Sequence, residues 1–170
     1  MNIRFRSISF TAIAGFALLL SANASAQWAG RGRIVQQNSS GGITTHAAQA
    51  GAGYNRGYDR RHETITDGTG NATRNGSSYA GNAFGGYSQS SGSSYINGND
   101  AGYSRQRNGQ TAQGGTFNGN STWQNGQGFT HQGTATAADG KTYSGQTSIT
   151  KDGVTRSGTC HDASGSVVSC

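Results

Sequence analysis

Cys160-His161-Asp162 is the densest grouping of reactive side chains in this chain, with a thiol, an imidazole and a carboxylate in consecutive positions. Covalent catalysis needs a nucleophile, a base and an orienting group held rigidly in a pocket, and this composition offers little means of making one. The remaining histidines, His46, His62 and His131, stand singly, and the sequence holds only seven Asp plus Glu. Asp162 reads as a turn residue whose carboxylate bonds backbone amides. On these grounds we assign no catalytic residue, no metal ligand and no cofactor, and expect a non-enzymatic protein.

Cys160 and Cys170 are the only cysteines. Nine residues separate them, which matches neither the C-x-x-C redox spacing nor a common zinc pattern, so the pair is expected to form a structural disulfide closing a hairpin around Ser164-Gly165. Asn97-Gly98-Asn99-Asp100-Ala101-Gly102 is similar to one unit of a calcium-binding nonapeptide repeat. Such sites are built by stacked copies, and this one occurs once, so it reads as a turn.

Aromatic residues offer binding chemistry instead. Trp123, Phe129 and Tyr143 are candidates for a stacking platform on sugar faces, and the competing assignment for the same rings is the thin apolar face of a sheet. Tyr79, Tyr87, Tyr95 and Tyr103 stand eight apart, each after two small residues. This octad repeat predicts one short strand plus one turn per unit, with the tyrosines in a column.

The elements that must position these groups have little to fill a core. No leucine follows Leu20, and from Gln27 onward there is no Met or Pro. Large apolar side chains beyond Ala26 are twelve Ile, Val and Phe, with seven Tyr and two Trp. Gly, Ser, Thr, Asn, Gln and Ala make up the bulk, so backbone pairing and amide or hydroxyl ladders must carry whatever order exists.

Residues 1–26 read as a secretory signal: Arg4 and Arg6, an apolar run from Ile8 to Leu20, and a small-x-small site at Ala24-Ser25-Ala26. The mature chain is expected to begin at Gln27, to have no membrane span, and to be periplasmic, cell-surface or secreted. It would carry eleven Lys plus Arg against seven Asp plus Glu, net +4. That charge suits weak attraction to anionic polysaccharide and falls short of a dense nucleic-acid-binding surface. Trp28-Ala29-Gly30-Arg31-Gly32-Arg33 and Tyr54-Asn55-Arg56-Gly57-Tyr58 have the aromatic-plus-arginine wording of single-strand RNA-binding tails, but export argues against that use and no nucleic-acid partner is expected.

Three segments follow the signal. Residues 27–76 have no sustained period and read as a disordered polar linker; residues 77–113 hold the tyrosine octads, with turns expected at Ser91-Gly92, Asn97-Gly98 and Asn108-Gly109. Residues 114–170 read as β-hairpins punctuated by Asn125-Gly126, Asp139-Gly140 and Asp152-Gly153. Strands are expected near Gln127–Ala137, Lys141–Thr150, Val154–His161 and Ser166–Cys170. Period two puts Phe129, His131, Gly133 and Ala135 on one face, and Tyr143, Gly145, Thr147 and Ile149 on one face of the next strand. The fold class is therefore a mostly disordered, low-complexity N-terminal half and an all-β C-terminal part, an antiparallel meander or small β-stack closed by the disulfide. The expected function is structural or adhesive, with self-assembly through open β-edges. The alternative is a small carbohydrate- or cell-wall-binding β module.

Overall fold

Consecutive hairpins account for the whole architecture. The computed structural model describes residues 27–170, so the expected signal at 1–26 lies outside the described residues. The strands are β1 (Trp28–Gln37), β2 (Ile43–Gly53), β3 (Arg56–Thr66), β4 (Ala72–Asn82), β5 (Tyr87–Asn97), β6 (Asp100–Gln110), β7 (Thr116–Gln124), β8 (Gly128–Thr136), β9 (Thr142–Thr150), β10 (Gly153–His161) and the two-residue β11 (Val167–Val168). They form one antiparallel sheet in chain order, and each strand touches only its sequence neighbours. The described chain is thus all-β, a meander of a single layer, with the Cys160–Cys170 disulfide at its C-terminal edge.

Turn chemistry sets the register. Five connections share a pattern in which a polar residue is followed three positions later by glycine: Asn38 to Gly42, Asp67 to Asn71, Asn82 to Gly86, Thr111 to Gly115 and Asp162 to Ser166. In the Asn82 turn, Gly85 N–H donates to the Asn82 carbonyl at 3.3 Å and Asn82 N–H to the Gly86 carbonyl at 2.8 Å. Gly85 has φ 82°, the left-handed residue that a three-residue hairpin loop with a bulge requires. The Asn82 Oδ1 accepts from the Phe84 and Gly86 amides, each at 3.0 Å. Asn38, Asp67 and Asp162 repeat this capping with their own side chains.

No side chain is buried; the buried residues among those described are six glycines, Gly42, Gly51, Gly86, Gly102, Gly109 and Gly115. Three of these sit under rings from the neighbouring strand. Tyr58 lies opposite Gly51, Tyr95 opposite Gly102, and Phe117 opposite Gly109. A β-carbon on any of them would meet its ring at 2.5–2.7 Å. An aromatic laid across a bare glycine removes apolar area from water without a second layer, and this device recurs in place of a core.

Residues 27–76 are not a linker: they supply β1, β2, β3 and the start of β4. The expectation of disorder there rested on low apolar content, which capped turns and continuous backbone pairing offset. The octad does not mark one strand per unit either. Strands run nine to eleven residues outside β11, so Tyr87 and Tyr95 share β5 while Tyr79 lies in β4 and Tyr103 in β6. Ser91-Gly92 and Asn108-Gly109 fall inside β5 and β6, where Gly92 faces Arg105 and Gly109 faces Phe117. These glycines allow close approach and are not at positive φ. Beyond Gly114 the expected hairpins match to within one or two residues, apart from the much shorter β11.

Candidate functional site

The continuous register sorts every strand residue onto one of two faces. On one face, the row Arg31, Gln49, Arg60, Ser78, Ser90, Arg107 crosses β1 to β6 and continues as Gly119, Gly133, Gly145, Gly158. Two residues along the strands, the next row carries Arg33, His62, Arg105, His131 and Arg156. Arg56 and Arg74 fall on the same face by alternation, so eight of the nine described arginines share it and Arg61 alone is opposite. The strand carboxylates Asp59, Glu63 and Asp100 all project from the opposite face, where Arg61 Nε pairs with Asp59 Oδ1 at 3.0 Å and His46 Nδ1 with Glu63 Oε2 at 3.2 Å.

Among the described residues no carboxylate lies within 4.0 Å of the basic-face arginines, and the two that make side-chain hydrogen bonds, Arg105 and Arg107, make them to serines. Arg107 Nε donates to Ser88 Oγ at 3.1 Å, and its guanidinium sits 5.3 Å from the centre of the Phe117 ring. Arg105 Nη2 donates to Ser90 Oγ at 3.3 Å. Arg31, Arg33, Arg60 and His62 line a shallow groove of about 780 Å³ over β1 to β3. Partial burial, then the charges of Arg74, Arg60 and Arg33, hold His62 below the ordinary imidazole value.

An apolar row borders the arginines on the same face: Tyr103, Trp123, Phe129, Ile149 and Val154 stand directly opposite one another in sequence across β6 to β10. Tyr103 and Trp123 stack with centroids 6.4 Å apart and planes 19° apart. Trp123 and Phe129 are therefore together. Tyr143 shares their face but pairs with Ala135, six residues along the strands from Phe129, which is about 20 Å.

Tyr79 and Tyr87 stack at 6.3 Å on the opposite face, Tyr95 lies at the far end of β5 on that face, and Tyr103 is on the basic face. The expected single column of tyrosines does not form, because the octad spacing crosses turns of unequal length. The opposite face also carries an unbroken amide row, Gln106, Asn120, Gln132 and Gln146.

Cys160 and Cys170 are bonded, with Cα atoms 5.3 Å apart. His161 pairs with Val167 in the β10–β11 ladder, while Asp162 Oδ1 accepts from Ser164 Oγ, Ser164 N and Ser166 N at 2.6, 2.9 and 2.9 Å. These bonds, the Ser164 hydroxyl foremost, pull its carboxyl below the usual range. Asn97–Gly102 forms the β5–β6 turn and its flanks, where Asp100 Oδ2 accepts from the Tyr95 hydroxyl at 3.1 Å. Ser121 Oγ lies 2.8 Å from His131 Nδ1 on the basic face, with no carboxylate on that face to orient the ring.

Two edges complete the surface. All ten residues of β1 are exposed, and β10 is paired on its outer side only through Cys160 and His161. The basic face escaped the sequence reading because its arginines are far apart along the chain. The alternating pairs Arg31/Arg33 and Arg105/Arg107 were the available signal. No family model matches this chain, and no curated protein or solved structure matches it.

Proposed function

We propose that this is an exported, non-enzymatic structural or adhesive protein of the periplasm, cell surface or extracellular matrix that assembles with its own copies through sheet edges. The observation that carries this reading is the pair of open edge strands on a coreless layer. β1 and the Gly153–Thr159 stretch of β10 present backbone donors and acceptors without a second neighbour among the described residues. Proline-free, uncovered edges are templates for further strands.

The direction of the strands supports an open assembly. Strand order alternates regularly, so β1 of one copy placed beside β10 of another continues the same antiparallel pattern, with each face of one copy running into the same face of the next. A repeated head-to-tail contact of this kind grows without closing. The disulfide-tied β11 covers one end of β10 and leaves the rest available.

The alternative of a sugar-stacking module has less support, since Trp123 is stacked on Tyr103 and Tyr143 is remote from both Trp123 and Phe129. The test is incubation of the oxidised protein at micromolar concentration, read by fibre diffraction. A reflection at about 4.7 Å, the spacing of neighbouring strands, is expected along the fibre axis. Ile34→Lys with Val154→Lys places one charge on each edge strand at highly exposed sites and should suppress it. A protein that stays monomeric, or fibres untouched by the edge charges, would remove the assembly reading.

A further inference from the structure

We propose that the arginine face is a docking surface for an acidic polysaccharide, a linear uronate polymer lying across the strands. Charge complementarity selects the partner. Eight arginines share this face with no strand carboxylate, while both Asp–Arg and Glu–His pairing are confined to the other side. The rows run from Arg31 and Arg33 in β1 to Arg156 in β10, nine strand spacings or about 43 Å, so the surface suits an extended chain and not a small ligand. The two described lysines, Lys141 and Lys151, sit in turns. Every strand cation is thus a guanidinium, whose planar fork matches a carboxylate with two parallel hydrogen bonds.

Neutral neighbours complete the fit. Ser88 and Ser90 hold Arg107 and Arg105 while leaving guanidinium donors free, and Gln49, Thr45 and Thr64 stand among the arginines to meet sugar hydroxyls. Single-stranded nucleic acid is the competing polyanion, and its binders depend on exposed rings for base stacking. Here the Tyr58 ring covers Gly51 and Tyr103 is stacked on Trp123. The proton affinity of His62 is lowered first by partial burial and then by the charges of Arg74, Arg60 and Arg33, which a polyanion would neutralise. Each protomer carries the whole face, so this proposal stands or falls apart from edge pairing.

The experiment is retention of the disulfide-intact protein on immobilised polygalacturonate, with neutral dextran and a poly-deoxythymidine column at matched charge and salt as comparisons. Arg60→Gln/Arg105→Gln/Arg107→Gln should weaken polygalacturonate binding about tenfold or more and flatten its salt dependence, while Arg61→Gln leaves both unchanged. Arg31→Gln/Arg33→Gln, on exposed positions of β1 that make no side-chain hydrogen bond among the described residues, gives the same reading should the triple variant lose its sheet. Equal losses from Arg61→Gln, equal retention on dextran, no retention on polygalacturonate, or tighter retention on poly-deoxythymidine would each overturn the proposal.

Discussion

Gly102 faces Tyr95 across the β5–β6 ladder, and the ring occupies the space a side chain at residue 102 would need: Tyr95 Cε1 lies 2.7 Å from an ideal β-carbon position. The glycine is buried because the tyrosine covers it. Similar covers at Gly51 and Gly109 replace, strand by strand, what a packed interior does in a two-layer protein.

Gly102→Ala should therefore destabilise the sheet by about 1–3 kcal/mol, the usual effect of overpacking. Gly32, in extended β1 with nothing within 4 Å of its β-carbon position, is the control. Gly32→Ala should raise stability by about 0.4–1 kcal/mol through the unfolded chain. Urea midpoints of the two variants check both signs, and equal shifts would contradict the cover.

Legibility followed the kind of residue doing the ordering. In β7 to β10, threonines and aromatics alternate with small residues, so Phe129 with His131 and Tyr143 with Ile149 could be placed on common faces from period two alone. In β1 to β6 the strands are written in Gly, Ala, Ser and Arg, which have low strand propensity, and their order comes from partners that only the register supplies. The hairpin signal was there in Asn38, Asp67 and Asn82, three residues ahead of a glycine, but not in the two-residue form that is simplest to read. Arg60, Arg61, His62 and Glu63 are consecutive in the sequence, and the pleat sends Arg60 and His62 to one face and Arg61 and Glu63 to the other.

Reducing Cys160–Cys170 should free β11 and leave β1 to β9 intact. A loop of this length stabilises by about 3 kcal/mol through closure entropy. Val167 and Val168 make the only ladder contacts beyond β10, so the effect stays local. Amide exchange should rise sharply at Val167, Val168 and Ser166, whose N–H is bonded to Asp162, and change little in β5.

Asp67 anchors the β3–β4 turn through Oδ1, which accepts from Thr69 Oγ1 at 2.8 Å and from the Thr69 and Asn71 amides at 2.9 and 3.1 Å. These bonds, led by the Thr69 hydroxyl, lower its pKa to about 2. A depressed carboxyl stabilises the fold above its ordinary value and loses that contribution as pH falls towards about 2. The turn should therefore loosen from about pH 4 downward, seen as amide shifts at Thr69 and Asn71 that track one titration. Asp67→Asn keeps an oxygen acceptor and should abolish the titration.

Edge pairing would bring Arg31 and Arg33 of one copy beside Arg156 of the next on a shared face. Like charges then oppose assembly, and salt should accelerate it as the screening length falls from about 30 Å at 0.01 M to about 8 Å at 0.15 M. Arg156→Gln should quicken assembly at low salt and flatten the dependence, as followed by light scattering.

Small-angle X-ray scattering of the monomeric chain from Gln27 to Cys170 probes the single layer itself. Ten strands side by side, each nine to eleven residues long, give a radius of gyration of about 18 Å with the scattering of a thin plate. A value near about 14.5 Å, that of a compact two-layer domain, or near about 39 Å, that of an unfolded chain, would contradict a coreless sheet held by its ladders and covered glycines.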